Sequence, residues 1–186
     1  MTTATEIPGF VTGTWSIDPA HSDVSFTVRH MMVSKVRGRF SQVSGEIVTA
    51  ENPLESVVTA TIDMHSIDTN NAQRDEHIRS ADFFETEKHP TMTYRSTGLR
   101  ADGEDFVLDG ELNLHGVTRP VTLKVELGGF GADALNPGGT RVGFSATGEI
   151  NRRDFGIDIT MPMDGGGVVV GDKVQVTLEI EAVLAS

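Results

Sequence analysis

The side chains in this sequence best suited to chemistry are six histidines and a cluster of basic residues. His30 continues the apolar face of the stretch Ser22–His30, and His115 ends an apolar/polar alternation just before Gly116-Val117-Thr118. Near its ordinary pKa of ~6.5 an imidazole can donate, accept or carry charge. Either histidine could therefore meet a polar group of a ligand, or hold a turn through a backbone group. Arg29, Lys35, Arg37 and Arg39 concentrate positive charge where one strand gives way to the next. Such a cluster attracts an anionic group, or serves only as a solvated strand face, since Lys35, Arg37 and Arg39 lie opposite Phe40. Arg74 shares a helical stripe with Ile78 and Ala81, where an arginine must find a carboxylate, a carbonyl or a ligand oxygen. Arg152 and Arg153 face opposite sides of their segment, so one of them is expected to be structural.

Other chemistries are excluded by spacing. The remaining histidines, His21, His65, His77 and His89, form neither HExxH nor His-x-His with any partner, so no metal is expected, and only a site assembled from distant strands stays open. Gly166–Lys173 is glycine-rich, but Asp172 interrupts the Gly-Lys pair of a phosphate loop and no Ser or Thr follows the lysine. No nucleophile-elbow sequence is present, and Asp63, His65 and Asp68 read as turn chemistry. Without cysteine there is no thiolate nucleophile and no disulfide. No catalytic residue is expected, and the chain is not expected to be an enzyme.

The elements that must position these residues are mostly strands. Val24, Phe26 and Val28 alternate with Ser25, Thr27 and Arg29; Phe106, Leu108, Leu112 and Leu114 lie opposite Asp109, Glu111 and Asn113. Further strands are predicted over 14–18, 35–49, 56–64, 91–99, 118–130, 141–151 and 173–184. Gly38 and Gly45 relieve crowding within the long 35–49 strand. One helix is predicted over 72–82, capped by Asn70-Asn71, with Asp75 and Arg79 paired one turn apart. A sheet with one apolar face and so little helix to cover it must close on itself or pack on a second sheet. The pattern favours a closed antiparallel barrel of about eight strands, with Gly131–Thr140 and Thr160–Asp172 as rim loops. A barrel of that size either is filled by side chains or holds one small ligand.

At 186 residues the chain suits one domain, with 1–12 as a lead and 13–186 as the barrel. A net charge of −12 argues against a nucleic-acid partner. The start of the sequence lacks a basic region and an apolar run, and no segment has the ~20 apolar residues of a membrane span. A cytoplasmic location is expected.

Four segments carry a resemblance to a known family: 21–30 with Gly38-Arg39-Phe40, 71–84, Leu112–Val121, and Asn151–Gly156. In this order they resemble the YceI-like proteins, over a span from about Trp15 to Leu184. The resemblance implies an extended, lipocalin-like barrel that binds isoprenoid-tailed lipids such as polyprenyl pyrophosphates or quinones. It implies a tail in the barrel and a head near its mouth, no other cofactor, and relatives that are often exported. The tail would lie against Trp15, Val24, Phe26, Val28, Phe40, Leu108, Leu112, Leu114 and Phe144. His30, Arg37, Arg39 and His115 are the candidates for the polar head. Two rivals stand beside this binding or transport role: an enzyme using an inward histidine, and a filled barrel acting as a stress-related interaction module, which could form a homodimer along a strand edge.

Overall fold

Alternation along the sequence becomes eleven antiparallel strands and one short helix in the computed structural model, which describes residues 7–31, 33–159 and 170–185. The strands are β1 (Gly13–Ile17), β2 (Asp23–His30), β3 (Ser34–Phe40), β4 (Val43–Thr49), β5 (Val57–Asp63) and β6 (Ile67–Asp68). The helix α1 (Ala72–Arg79) follows, then β7 (Thr91–Asp102), β8 (Asp105–Leu114), β9 (Val117–Ala132), β10 (Thr140–Asn151) and β11 (Val170–Leu184). Eight strands close a ring in the order β1-β4-β5-β7-β8-β9-β10-β11, with β11 returning to β1, and β2, β3 and β6 extend it. The result is a lipocalin-like barrel.

Strand β11 is long enough to pair with β1 through Ala182–Leu184 and with β2 through 170–179. Strands β1 and β2 therefore share one position in the wall, interrupted where Pro19 starts a single 3-10 turn capped by Asp18, whose carboxylate accepts from the Ala20 N–H. Strands β3 and β4 divide in the same way at Ser41-Gln42, so the single strand expected over 35–49 is two. The cause is local: the Ser41 and Gln42 N–H groups leave the ladder to donate to the Ser66 carbonyl and hydroxyl.

The helix is shorter than the sequence predicts. Asn71 caps it by accepting from the Arg74 N–H at 2.9 Å, and Ser80 ends it by turning extended and donating to the His77 carbonyl. The expected Asp75–Arg79 pair does not form. Asp75 is buried and accepts from the Thr69 N–H and hydroxyl, while Arg79 donates to the carbonyls of His65 and Ile67. Carbonyls outside a ladder need donors, and Arg79 supplies them.

The ends of the barrel differ. Trp15, Ile47, Val142 and Ala182 form a separate buried cluster with Phe130 and Leu184 packed on it, and this plug closes the end where β1 meets the C-terminal part of β11. Trp15 is fully buried, and its Nε1–H donates to Thr49 Oγ1 at 2.9 Å. No helix among the described residues is long and apolar enough to cross a membrane.

Candidate ligand-binding cavity

Above the plug, the inward faces of the strands do not meet. They leave a cavity of about 420 Å³ that opens toward His30, Val170 and the helix. Strand β2 contributes Val24, Phe26 and Val28; β3 adds Phe40; β8 adds Leu108, Leu112 and Leu114; β10 adds Phe144. Period-2 alternation predicts each of these on the inner face, and each lines the cavity. The segment around the helix supplies the missing wall beyond β6 with Ile78, Phe83 and Phe84. Strand periodicity does not reveal that contribution, because Phe83 and Phe84 sit in a loop where no alternation exists.

Trp15, expected on the tail-binding wall, belongs instead to the plug. Alternation tells which way a side chain points but not how far along the barrel axis it lies. Arg37 and Arg39, expected near a polar head, are exposed on the outer face of β3 and do not line the cavity. Their register opposite Thr27 and Ser25 puts them on the far side of the strand from Phe40 and Val36. His115 is also absent from the lining; its Nδ1 lies 3.0 Å from the Phe155 carbonyl oxygen. It holds the turn between β8 and β9. His30 does line the cavity at its open end, and among the described residues its ring has no hydrogen-bond partner. The rim loop expected over Thr160–Asp172, and with it the first half of the glycine-rich 166–173 stretch, lies outside the described residues up to 169; from Val170 on the chain is already strand β11.

Polar side chains on the lining gather at the open end, apart from Ser25, whose hydroxyl donates to the Thr177 carbonyl, and Tyr94. Tyr94 lies deep, its hydroxyl donating to the Val121 carbonyl at 3.0 Å, and burial pushes its pKa up to about 12. It is a neutral phenol whose donor is already used. At the open end stand Arg29, His30, Arg74, His77 and Arg152. Arg152 is buried and donates to the carbonyls of Ile157 and Gly171 at 2.7 and 3.0 Å, with Asp172 at 3.2 Å. Burial lowers its pKa, and these partners satisfy it. It is the structural member of the Arg152/Arg153 pair. Arg74 uses Nε and one amino group on Thr69, and among the described residues its other amino group has no partner. His77 is hydrogen-bonded to Asp82 at 2.9 Å.

No carboxylate side chain lines the cavity among the described residues. In a chain of net charge −12, the mouth is locally cationic. An apolar slot ending in cationic donors matches an amphiphile, with a long apolar part and an anionic end.

Comparison with known proteins agrees with the fold. The family model described as the YceI-like domain matches residues 15–182. A protein named YceI from Escherichia coli O17:K52:H18 is 44% identical over 138 residues, covering 74% of this chain and 71% of that protein. A UPF0312 protein of Photorhabdus laumondii is 43% identical over 136 residues, 73% of this chain and 70% of its own. Among solved structures, a YceI protein from Campylobacter jejuni superposes with a TM-score of 0.71 at 31% identity, covering 91% of this chain and 96% of that one. A polyisoprenoid-binding domain from Saccharophagus degradans shares the fold with a TM-score of 0.67 at 20% identity, covering 94% and 99%.

Proposed function

The chain belongs to the YceI-like family, and on that premise we propose that it binds a polyisoprenoid or similar long-chain amphiphile, tail in the cavity and head at the mouth. The observation that carries this reading is the lining: apolar along its length, with cationic groups and, among the described residues, no carboxylate side chain where it opens. Burial of apolar surface contributes ~25 cal/mol per Å², so a tail binds by its length without any reacting group. The solved polyisoprenoid-binding domain that shares this fold supports the same ligand class.

The mouth favours an anionic head over a neutral one. His30 and the spare amino group of Arg74 are the donors offered to it, and a prenyl pyrophosphate uses both features where a quinone uses chiefly the slot. The role is that of a carrier or reservoir, with no turnover.

Native mass spectrometry of gently purified protein, followed by organic extraction, tests the reading. A stoichiometric isoprenoid, or uptake of farnesyl pyrophosphate by the stripped protein, supports it. Protein that stays apo after incubation with prenyl pyrophosphates and quinones refutes it.

A further inference from the structure

Behind the cavity wall, Glu85, His89 and His115 converge in a place that ligand binding does not use. Phe84 and Leu114 line the cavity, and the residue after each, Glu85 and His115, does not. His115 and Gly116 are the two-residue turn between β8 and β9, flanked by the Leu114–Val117 pair, with φ of 57° and 76°. Glu85 also has a positive φ, 48°. A non-glycine residue costs free energy there and persists only where its surroundings hold it.

The hydrogen bond to Phe155 decides the chemistry of His115. A carbonyl only accepts, so Nδ1 carries the proton, and in the neutral ring Nε2 keeps a lone pair. That Nε2 is buried and has no hydrogen-bond partner. It faces a Glu85 carboxylate oxygen at 3.9 Å and the His89 ring, whose centroid is 4.8 Å from its own. A lone pair turned toward a carboxylate is repulsive unless a proton or a metal cation stands between them, and a metal cation also engages the His89 ring beside them. Room for the second imidazole is built in: a Cβ at Gly116 would lie 2.8 Å from His89 Cε1.

We propose that Glu85, His89 and His115 bind a divalent transition-metal cation of the zinc type. One donor atom from each lies within 4.8 Å of the others. Zinc takes imidazole nitrogen and carboxylate oxygen at ~2.0–2.2 Å in tetrahedral geometry, which sets donors about 3.4 Å apart. Small side-chain rotations close the difference. The Nδ1–H donated to a backbone carbonyl is the support a metal-bound imidazole ordinarily has. Two nitrogens and one oxygen do not suit calcium or magnesium, which take oxygen. Asp18, His21 and Glu181 also converge, but there Arg141 already supplies the positive charge, 2.8 Å from Asp18 and 3.1 Å from Glu181. The cation would clip the segment carrying Phe83 and Phe84 to the β8–β9 turn, bracing a part of the cavity wall that is not made of sheet.

The test is calorimetric titration of tag-free, chelator-stripped protein with Zn²⁺ alone, with thermal melting alongside and no amphiphile present. The expected result is one ion per chain and a raised Tm. Glu85→Gln and His115→Asn should each weaken binding at least tenfold, asparagine being tolerated at positive φ. His21→Gln, in the cluster that Arg141 fills, should leave it unchanged. Circular dichroism and melting without metal establish that the variants fold. No uptake by the wild type at 100-micromolar Zn²⁺ (about that scale being ordinary for a weak site) overturns the proposal. So does uptake indifferent to Glu85→Gln, which would assign the ions to surface imidazoles. With no lipid in the experiment, its outcome is independent of the carrier reading.

Discussion

Lengthening a prenyl chain one isoprene unit at a time should tighten binding until the cavity is full, and the cavity volume says where that occurs. A space of about 420 Å³, at ~30 Å³ for a group the size of a water or methylene, accepts ~14 heavy atoms, close to three isoprene units. Even at the low ligand efficiency of ~0.3 kcal/mol per atom, a five-carbon unit contributes ~1.5 kcal/mol, about tenfold in Kd. Across C5, C10 and C15 prenyl pyrophosphates the Kd should fall about tenfold or more per step. The C20 compound should add less than about threefold, its extra carbons reaching the mouth. Ala146 is buried on β10 and lines the cavity. Ala146→Leu adds three carbons, removes ~90 Å³ and should weaken C15 about fivefold while sparing C10. Calorimetry below the micelle threshold of each ligand measures the series, with melting curves to establish that the variant folds. A Kd that is flat from C5 to C15, or a variant that treats C10 and C15 alike, would refute a tail held in this slot.

Three further outcomes follow from the geometry. His30→Gln and Arg74→Gln should each weaken farnesyl pyrophosphate about three- to tenfold relative to farnesol, because only the charged head meets these donors; an unchanged ratio in competition binding would remove both residues from the mouth. Thr49→Val leaves the buried Trp15 N–H without its acceptor and should cost ~1–3 kcal/mol in urea unfolding, with prenyl affinity intact because the plug lies outside the cavity. The Arg141 guanidinium, then His21, holds the Asp18 carboxyl down at about 2, and Arg141 also lowers Asp133. Carboxyls depressed on folding stabilise above their unfolded pKa of ~4 and lose that contribution as pH falls through the folded value. Stability should therefore drop between about pH 4 and pH 2. Arg141→Gln should flatten that slope and lower stability at neutral pH, where Asp133 loses its partner; an unaltered pH profile would contradict the ion-pair assignment.

The barrel and most of its inner wall are legible in the sequence because a strand reports its faces directly: Val24, Phe26, Val28, Leu112 and Leu114 alternate, and alternation is orientation. The same rule places Arg37 and Arg39 outside. Assigning them to a head group rests on the concentration of positive charge around them, which the pleat turns to the outer face. What local pattern cannot carry is height along the barrel axis, which separates the Trp15 plug from the slot, and assembly across segments. Ile78, Phe83 and Phe84 become wall only because β6 is two residues long and leaves the sheet open beside it. Glu85 and His89 meet His115 for the same reason, brought to the β8–β9 turn by a loop whose course no periodicity predicts.

Whether the barrel is hollow or filled turns on a few inward glycines. Gly38, Gly110 and Gly148 occupy inner-face positions on β3, β8 and β10, in step with Phe40, Leu112 and Ile150. A Cβ at Gly38 would fall on the Phe26 ring, one at Gly110 on the Tyr94 ring, and one at Gly148 2.7 Å from Leu123 Cδ2. Each large side chain therefore lies flat in the space its glycine neighbour vacates, along the wall rather than across the lumen. Phe26 sits on β2 beside Gly38 of β3, and Tyr94 reaches from β7 past Gly110 of β8. With larger residues at those three positions, the rings and the leucine would be driven inward, and close packing would favour a filled core. The small inward residues keep the lumen open, and under the proposed function the volume left for a tail depends on glycines as much as on the apolar side chains around it.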